Sequence, residues 1–278
     1  MLPTESSGKT IVTIAILLLI GSLFLGCQTR ESSTPISIPI ANELACAAPG
    51  EVEEKILEEN SRGYDYNYWI YLPPCYDSEI EKEYPVLYLL PGRGGSPSDW
   101  FNAGVNEIAD DMILNGEIAP FIIVSTEEIS SDPLADIIFN DLKPHVEHAY
   151  RAKAERWQRA VAGGSLGSVG AYRVALQHPN EFSSVGMFGG GLIHGEEERV
   201  QTWLDELTAE NQPRFFINSG EQDPFMVERA EVMIDVLDEA QLEHTEIFSS
   251  GGHDYGYWTS NFPSYFEWLA EDWTQEAG

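Results

Sequence analysis

The chain has 278 residues, 43% of them hydrophobic and 22% charged, which excludes a wholly disordered protein and suits one large domain with a sizeable core. Its formal net charge of -31, from 46 acidic against 15 basic residues, argues against nucleic acid as a partner, because such a field repels a phosphate backbone.

From Ile11 to Gly26 the uncharged run IVTIAILLLIGSLFLG is short for a membrane span and lies at the extreme N-terminus, as an export signal does. Its end, LFLGC, resembles a bacterial lipoprotein signal, in which a small residue precedes a cysteine that becomes the lipidated first residue. On that resemblance residues 1–27 are a signal segment, Cys27 is the expected lipidation site, and the anchor makes the membrane a partner. An uncleaved anchor and an ordinary signal peptide are the alternatives, and all three put the body of the protein outside the cytoplasm. Residues 28–44 begin QTRESSTPISIPI, without helical or strand period, and are expected to form a flexible tether to a domain over 45–278. With Cys27 lipidated, Cys46 and Cys75 remain, and export makes a disulfide between them the natural pairing; two buried free thiols are the alternative.

The alternating YDYNYWIYLPP (Tyr64 to Pro74) predicts an edge or hairpin strand stopped by the double proline. YPVLYLLPG and PFIIVSTEE are continuous apolar runs, as strands buried on both faces are, with a helical pattern in EIADDMILNGEI between them. DPLADIIFNDLKPHVEHAYR spaces its apolar residues as a helix does, bent near Pro144. RAVAGGSLG is a third strand running into a turn, followed by the helical SVGAYRVALQHP. FSSVGMFGGG, PRFFINSG and HTEIFSSGG are further strands; EERVQTWLDEL, VERAEVMIDVLDEA and the closing NFPSYFEWLAEDW are helices. Strands alternating with helices imply a mostly parallel sheet covered on both faces.

Ser165 stands in G-x-S-x-G between such a strand and such a helix. A serine there is held on a sharp, strained turn, the flanking glycines allow close approach, and the next amide, that of Leu166, points at the oxygen of a reacting carbonyl. A serine hydroxyl needs a base, and in this geometry acid and histidine follow it at the ends of later strands. Of six histidines only His253, in SSGGHDYGYW, follows the last strand. Asp223, in NSGEQDPF, follows the penultimate strand and is the expected acid, with Glu221 and Asp254 as rivals. The second oxyanion donor is expected from the glycine-rich PGRGGSPSDW, at the N–H of Arg93, whose side chain could instead attract an acidic substrate. Trp100, Tyr255, Tyr257 and Trp258 either line an aromatic acyl pocket or pack in the core.

These motifs, with YWIYLPPCYD, FNDLKPHVEHAYR and RAVAGGSLGSVGAYRVALQHPNEFSSVGMFGG, resemble the esterase D-like branch of α/β-hydrolases, which includes feruloyl and other carbohydrate esterases, S-formylglutathione hydrolases, siderophore esterases and mycolyltransferases. The resemblance spans roughly residues 45 to 273. It implies an α/β-hydrolase fold, a nucleophile at Ser165, an acid at Asp223, a base at His253 and no metal or other cofactor. It also supports the pairing of Cys46 with Cys75, since the cysteine beside YLPP looks like one half of a disulfide of exported relatives. Two departures stand out: Pro91-Gly92 where relatives have His-Gly, and Ser165-Leu166-Gly167-Ser168 where they have Ser-Met-Gly-Gly. The expected activity is hydrolysis of carboxylic esters, with a small-molecule or carbohydrate (feruloyl or acetyl) ester as substrate. An acyltransferase like the mycolyl relatives, and a non-catalytic surface binding module on the same fold, are the alternatives.

Overall fold

A computed structural model describes residues 47–58, 60–61, 63–128 and 138–273. Cys27, Cys46, the signal and the whole of the tether lie outside the described residues. The chain divides into two units, Met1–Glu43 and Leu44–Gly278, and every described residue belongs to the second.

Five apolar segments form strands in which every residue is buried: β3 (Val86–Leu90), β4 (Ile122–Thr126), β5 (Arg159–Gly164), β6 (Ser184–Phe188) and β7 (Arg214–Gly220). They are apolar without alternation because helices cover both faces of the sheet. β1 (Glu51–Leu57), β2 (Tyr66–Leu72) and β8 (His244–Ser249) complete it, in the order β1-β2-β4-β3-β5-β6-β7-β8. β1 and β2 are antiparallel, as are β2 and β4; every pair from β4 through β3 to β8 is parallel.

Of the two readings its alternation allows, edge or hairpin strand, β2 takes the second. β1 lies outside it, pairing Glu51 with Leu72 through Leu57 with Tyr66. The sequence EVEEKIL hides this strand, because Glu51, Glu53, Glu54 and Lys55 leave it too few apolar residues to show a clear period.

Helices α1 (Asp99–Asn102) and α2 (Val105–Leu114) cover one face of the sheet. The other is covered by α3 (Lys143–Ala149), α4 (Leu166–Gln177), α5 (Glu197–Asp205) and α6 (Pro224–Glu239). The chain then returns to the first face with α7 (Tyr255–Ser260) and α8 (Phe262–Trp273). Each face has its own core, one built around Tyr88, Tyr172 and Met233, the other around Trp100, Phe188 and Phe262. The bend expected near Pro144 takes the form of a wide π-helical turn, Ile138–Leu142, running into α3. Pro144 then sits in the first turn of that helix, where a missing N–H costs nothing. Among the described residues no helix is long and apolar enough to cross a membrane.

Parallel strands all open at the same end, so the turns after β3, β5, β7 and β8 converge above the middle of the sheet.

Candidate active site

Ser165 joins β5 to α4 with φ 53° and ψ -117°. For a residue with a Cβ this left-handed backbone costs about 1–3 kcal/mol, so the surroundings must hold it. They do so from several sides. The Ser165 N–H donates to the Phe188 carbonyl at 2.8 Å, and the Ser165 carbonyl accepts from the Ser168 N–H at 3.1 Å and the Ser168 hydroxyl at 2.6 Å. A Cβ on Gly167 would collide with the carbonyl oxygens of Leu90 and Pro91, and one on Gly163 with Gly167, so both glycines of the motif are needed for α4 to approach the sheet. The unusual Ser168 fits because Gly190 faces it, where a Cβ would strike the Ser168 hydroxyl.

His253, in the turn after β8, sets its Nε2 2.8 Å from the Ser165 hydroxyl oxygen. Its Nδ1 lies 2.8 Å from Oδ2 of Asp223, in the turn after β7. A carboxylate can only accept, so Nδ1 carries the proton, and Nε2 is left to accept from the serine O–H. Asp223 also caps α6, its Oδ1 accepting from the Met226 N–H at 3.3 Å. The rivals are placed elsewhere: Glu221 is exposed, and Asp254 caps α7 by accepting from the Tyr257 N–H at 2.9 Å. The turn that carries His253 is tied to the end of β7 by Tyr257, whose hydroxyl donates to the Ser219 carbonyl at 2.9 Å, and by the Gln222 N–H, which donates to the Gly251 carbonyl at 2.9 Å.

The loop after β3 runs beside the serine, for a Cβ on Gly92 would lie 3.5 Å from that of Ser165. Arg93 and Leu166 both border the space in front of Ser165, and among the described residues no hydrogen bond engages either amide. The Gly92 N–H donates to the Tyr255 hydroxyl at 3.2 Å, and that hydroxyl faces Asp99 Oδ2 at 3.4 Å. Asp99 also accepts from the Ser96 N–H and hydroxyl, so one carboxylate draws the loop together. Burial pushes the Tyr255 phenol up to about 12, which keeps it a neutral donor. Tyr255 is thus a positioning residue that sequence reading did not single out for this role. Replacing it by Phe strands the Gly92 N–H, a loss of about 1 kcal/mol, or roughly fivefold in rate. Steady-state kinetics on Tyr255→Phe should find the loss in kcat with KM nearly unchanged.

A cavity of about 580 Å³ opens at Ser165 between α4 and α6, walled by Leu166, Val169, Leu192, Ile193, Phe225 and Met226. None of the four aromatic residues considered for an acyl pocket lines it. Trp100, Tyr257 and Trp258 are buried, and Tyr255 packs edge-on against Trp100 and Trp258 with centroids 4.8 and 5.0 Å away. They form the floor under the turn: Trp258 fills the space beside Gly164 and meets the His253 ring edge-on at 5.1 Å. Among the described residues no group of three or more His, Cys, Asp or Glu side chains is placed to hold a metal ion.

Residues 60–269 match the family model described as "Putative esterase". The chain is 28% identical over 164 residues to an endo-1,4-beta-xylanase/feruloyl esterase of Xylanibacter ruminicola, a stretch that is 53% of this chain and 23% of that longer protein. The fold is similar to that of a ferulic acid esterase, with a TM-score of 0.72 at 21% identity over 81% of this chain and 98% of that one. It is similar also to a mutant feruloyl esterase module from Clostridium thermocellum solved with sinapinate, with a TM-score of 0.73 at 16% identity over 84% and 92% of the two chains. With its eight-stranded sheet, mostly parallel and covered on both faces, and a family match over most of its length, the chain is an α/β-hydrolase that belongs to the esterase family.

Proposed function

We propose that the protein is an exported serine esterase that cleaves carboxylic esters of carbohydrates, feruloyl or acetyl esters among them, through Ser165, His253 and Asp223. The observation that carries this reading is the unbroken line from the Ser165 hydroxyl to His253 and on to Asp223, 2.8 Å at each step, set on a strained turn beside a cavity. The feruloyl esterase names of the relatives support the substrate class.

In this reading Nε2 of His253 takes the Ser165 proton as the oxygen bonds to the acyl carbon. The carbonyl oxygen becomes an oxyanion held by the N–H groups of Leu166 and Arg93, the first backed by the N-terminal dipole of α4. Asp223 stabilises the imidazolium. Collapse breaks the bond from the acyl carbon to the alcohol oxygen, which leaves with the proton from Nε2. Water, giving its proton to His253, then attacks the acyl-serine, releasing the acid and restoring the Ser165 hydroxyl.

Export by the N-terminal segment and lipidation of Cys27 remain part of the proposal, as does the pairing of Cys46 with Cys75. The last is supported by Cys75 being disulfide-bonded.

A fluorophosphonate probe tests the nucleophile. It is expected to modify Ser165 in the folded protein, read by peptide mass spectrometry, and to fail after denaturation; absence of labelling in the folded protein would sink the reading.

A further inference from the structure

The cavity at Ser165 reverses the charge of the molecule around it. In a chain with 46 acidic and 15 basic residues, Arg93 and Arg229 stand among its lining side chains, and among the described residues no Asp or Glu does. Most of the described basic side chains are engaged elsewhere, Lys143 and Arg159 with Glu181, Arg173 with Glu196, Arg214 with Asp272. Arg93 is exposed and belongs to no ion pair among the described residues. Among the described residues the Arg229 guanidinium has one ion-pair partner, the exposed carboxylate of Glu228 at 2.9 Å, lies 5.9 Å from the centroid of the Phe225 ring, and leaves its Nε buried without a hydrogen-bond partner. A pair whose carboxylate stands in solvent contributes little, whereas a buried guanidinium N–H left unbonded is costly, so an acceptor brought by a ligand is favoured there.

The cavity also has a side. His253 must reach the departing alcohol oxygen, so the alcohol half of an ester faces it. Neither His253 nor the segment after it lines the cavity, while Ser165, Leu166 and Arg93 do. The cavity therefore suits the acyl half. Resting on the serine-esterase reading of Ser165, we propose that among the esters it cleaves the site prefers those whose acyl group carries an anionic group, a carboxylate in the simplest case, at the end of an apolar spacer: the spacer lies along Leu166, Val169 and Met226, and Arg229 and Arg93 bind the charge. Guanidinium forks match a carboxylate in both geometry and sign.

The test is a matched pair of esters that differ only in the far end of a six-carbon acyl chain, mono-4-nitrophenyl adipate and 4-nitrophenyl hexanoate, given to the full chain. The ratio of their kcat/KM values should favour the adipate ester and fall roughly tenfold in Arg229→Gln, with a smaller fall in Arg229→Lys, as loss of one charge-assisted contact predicts. Arg93→Gln should lower the same ratio. In parallel, calorimetry on Ser165→Ala should show monomethyl adipate binding more tightly than methyl hexanoate, a preference lost on adding Arg229→Gln. Cleavage of the hexanoate ester with no anionic preference in either assay overturns this inference and leaves the esterase reading standing. Binding preference without cleavage of either ester supports the anion site and indicts the esterase reading. Neither cleavage nor preference overturns both.

Discussion

Ser165→Ala should lower kcat/KM for 4-nitrophenyl esters by about 10⁴-fold or more, because the bond to the acyl carbon has no other oxygen to form through. A residue of activity above the uncatalysed rate is expected to survive, since the Leu166 and Arg93 amides and the cavity are untouched. Stability supplies an independent readout. Alanine keeps the Cβ that makes φ 53° unfavourable, so Ser165→Ala should melt close to the parent protein. Ser165→Gly removes that Cβ, and with it strain of about 1–3 kcal/mol, part of which is cancelled by the greater freedom of an unfolded glycine. Glycine at 165 should therefore match alanine in inactivity and exceed it in melting temperature. Parental activity in both variants would remove Ser165 from the mechanism.

Asp223→Asn should cost about 10³–10⁴-fold in kcat. The amide puts a donor where the His253 Nδ1 proton needs an acceptor, which favours the tautomer with its proton on Nε2, facing the serine it should deprotonate. The asparagine oxygen can still accept from the Met226 N–H, so the cap of α6 persists and the melting temperature should hardly move. Asp223→Ala should be as inactive and also lose about 1 kcal/mol of stability with the cap. Kinetics and thermal melts on both variants separate the two duties of this carboxylate; Asp223→Asn with more than a tenth of parental kcat would speak against its proposed place beside His253.

Residues buried on both faces announce themselves. The runs around Val86–Leu90, Ile122–Thr126 and Arg214–Gly220 are legible as strands because each holds a stretch of consecutive apolar residues, and the turns after the first and the last carry Arg93 and Asp223. Chain order then leads to His253. β1 is different: it is half solvated, and its glutamates erase the pattern. The role of Tyr255 is equally hidden, since a hydrogen bond from Gly92 across 163 residues leaves no local mark. Nor do Leu192, Met226 and Arg229 point to a cavity at Ser165 until helices α4 and α6 stand side by side. The aromatic residues near the motifs leave acyl pocket and core packing both open to a reader of the sequence, because a ring packs under a turn and along a pocket with the same composition; Trp100, Tyr257 and Trp258 take the second.

The acidic β1 has a consequence for how copies of the molecule meet. Among the described residues it is bonded to a neighbour on one side only, so its other side is a row of backbone groups open to a strand from elsewhere. Two copies that paired there head to tail would bring Glu51, Glu53 and Glu54 of one against those of the other as their register slid. Registers that set Glu51 opposite Glu53 or Glu54, or Glu53 opposite Glu54, put carboxylates at sheet spacing, where like charges repel. The same glutamates that conceal the strand from a reader of the sequence keep it from growing into a larger sheet.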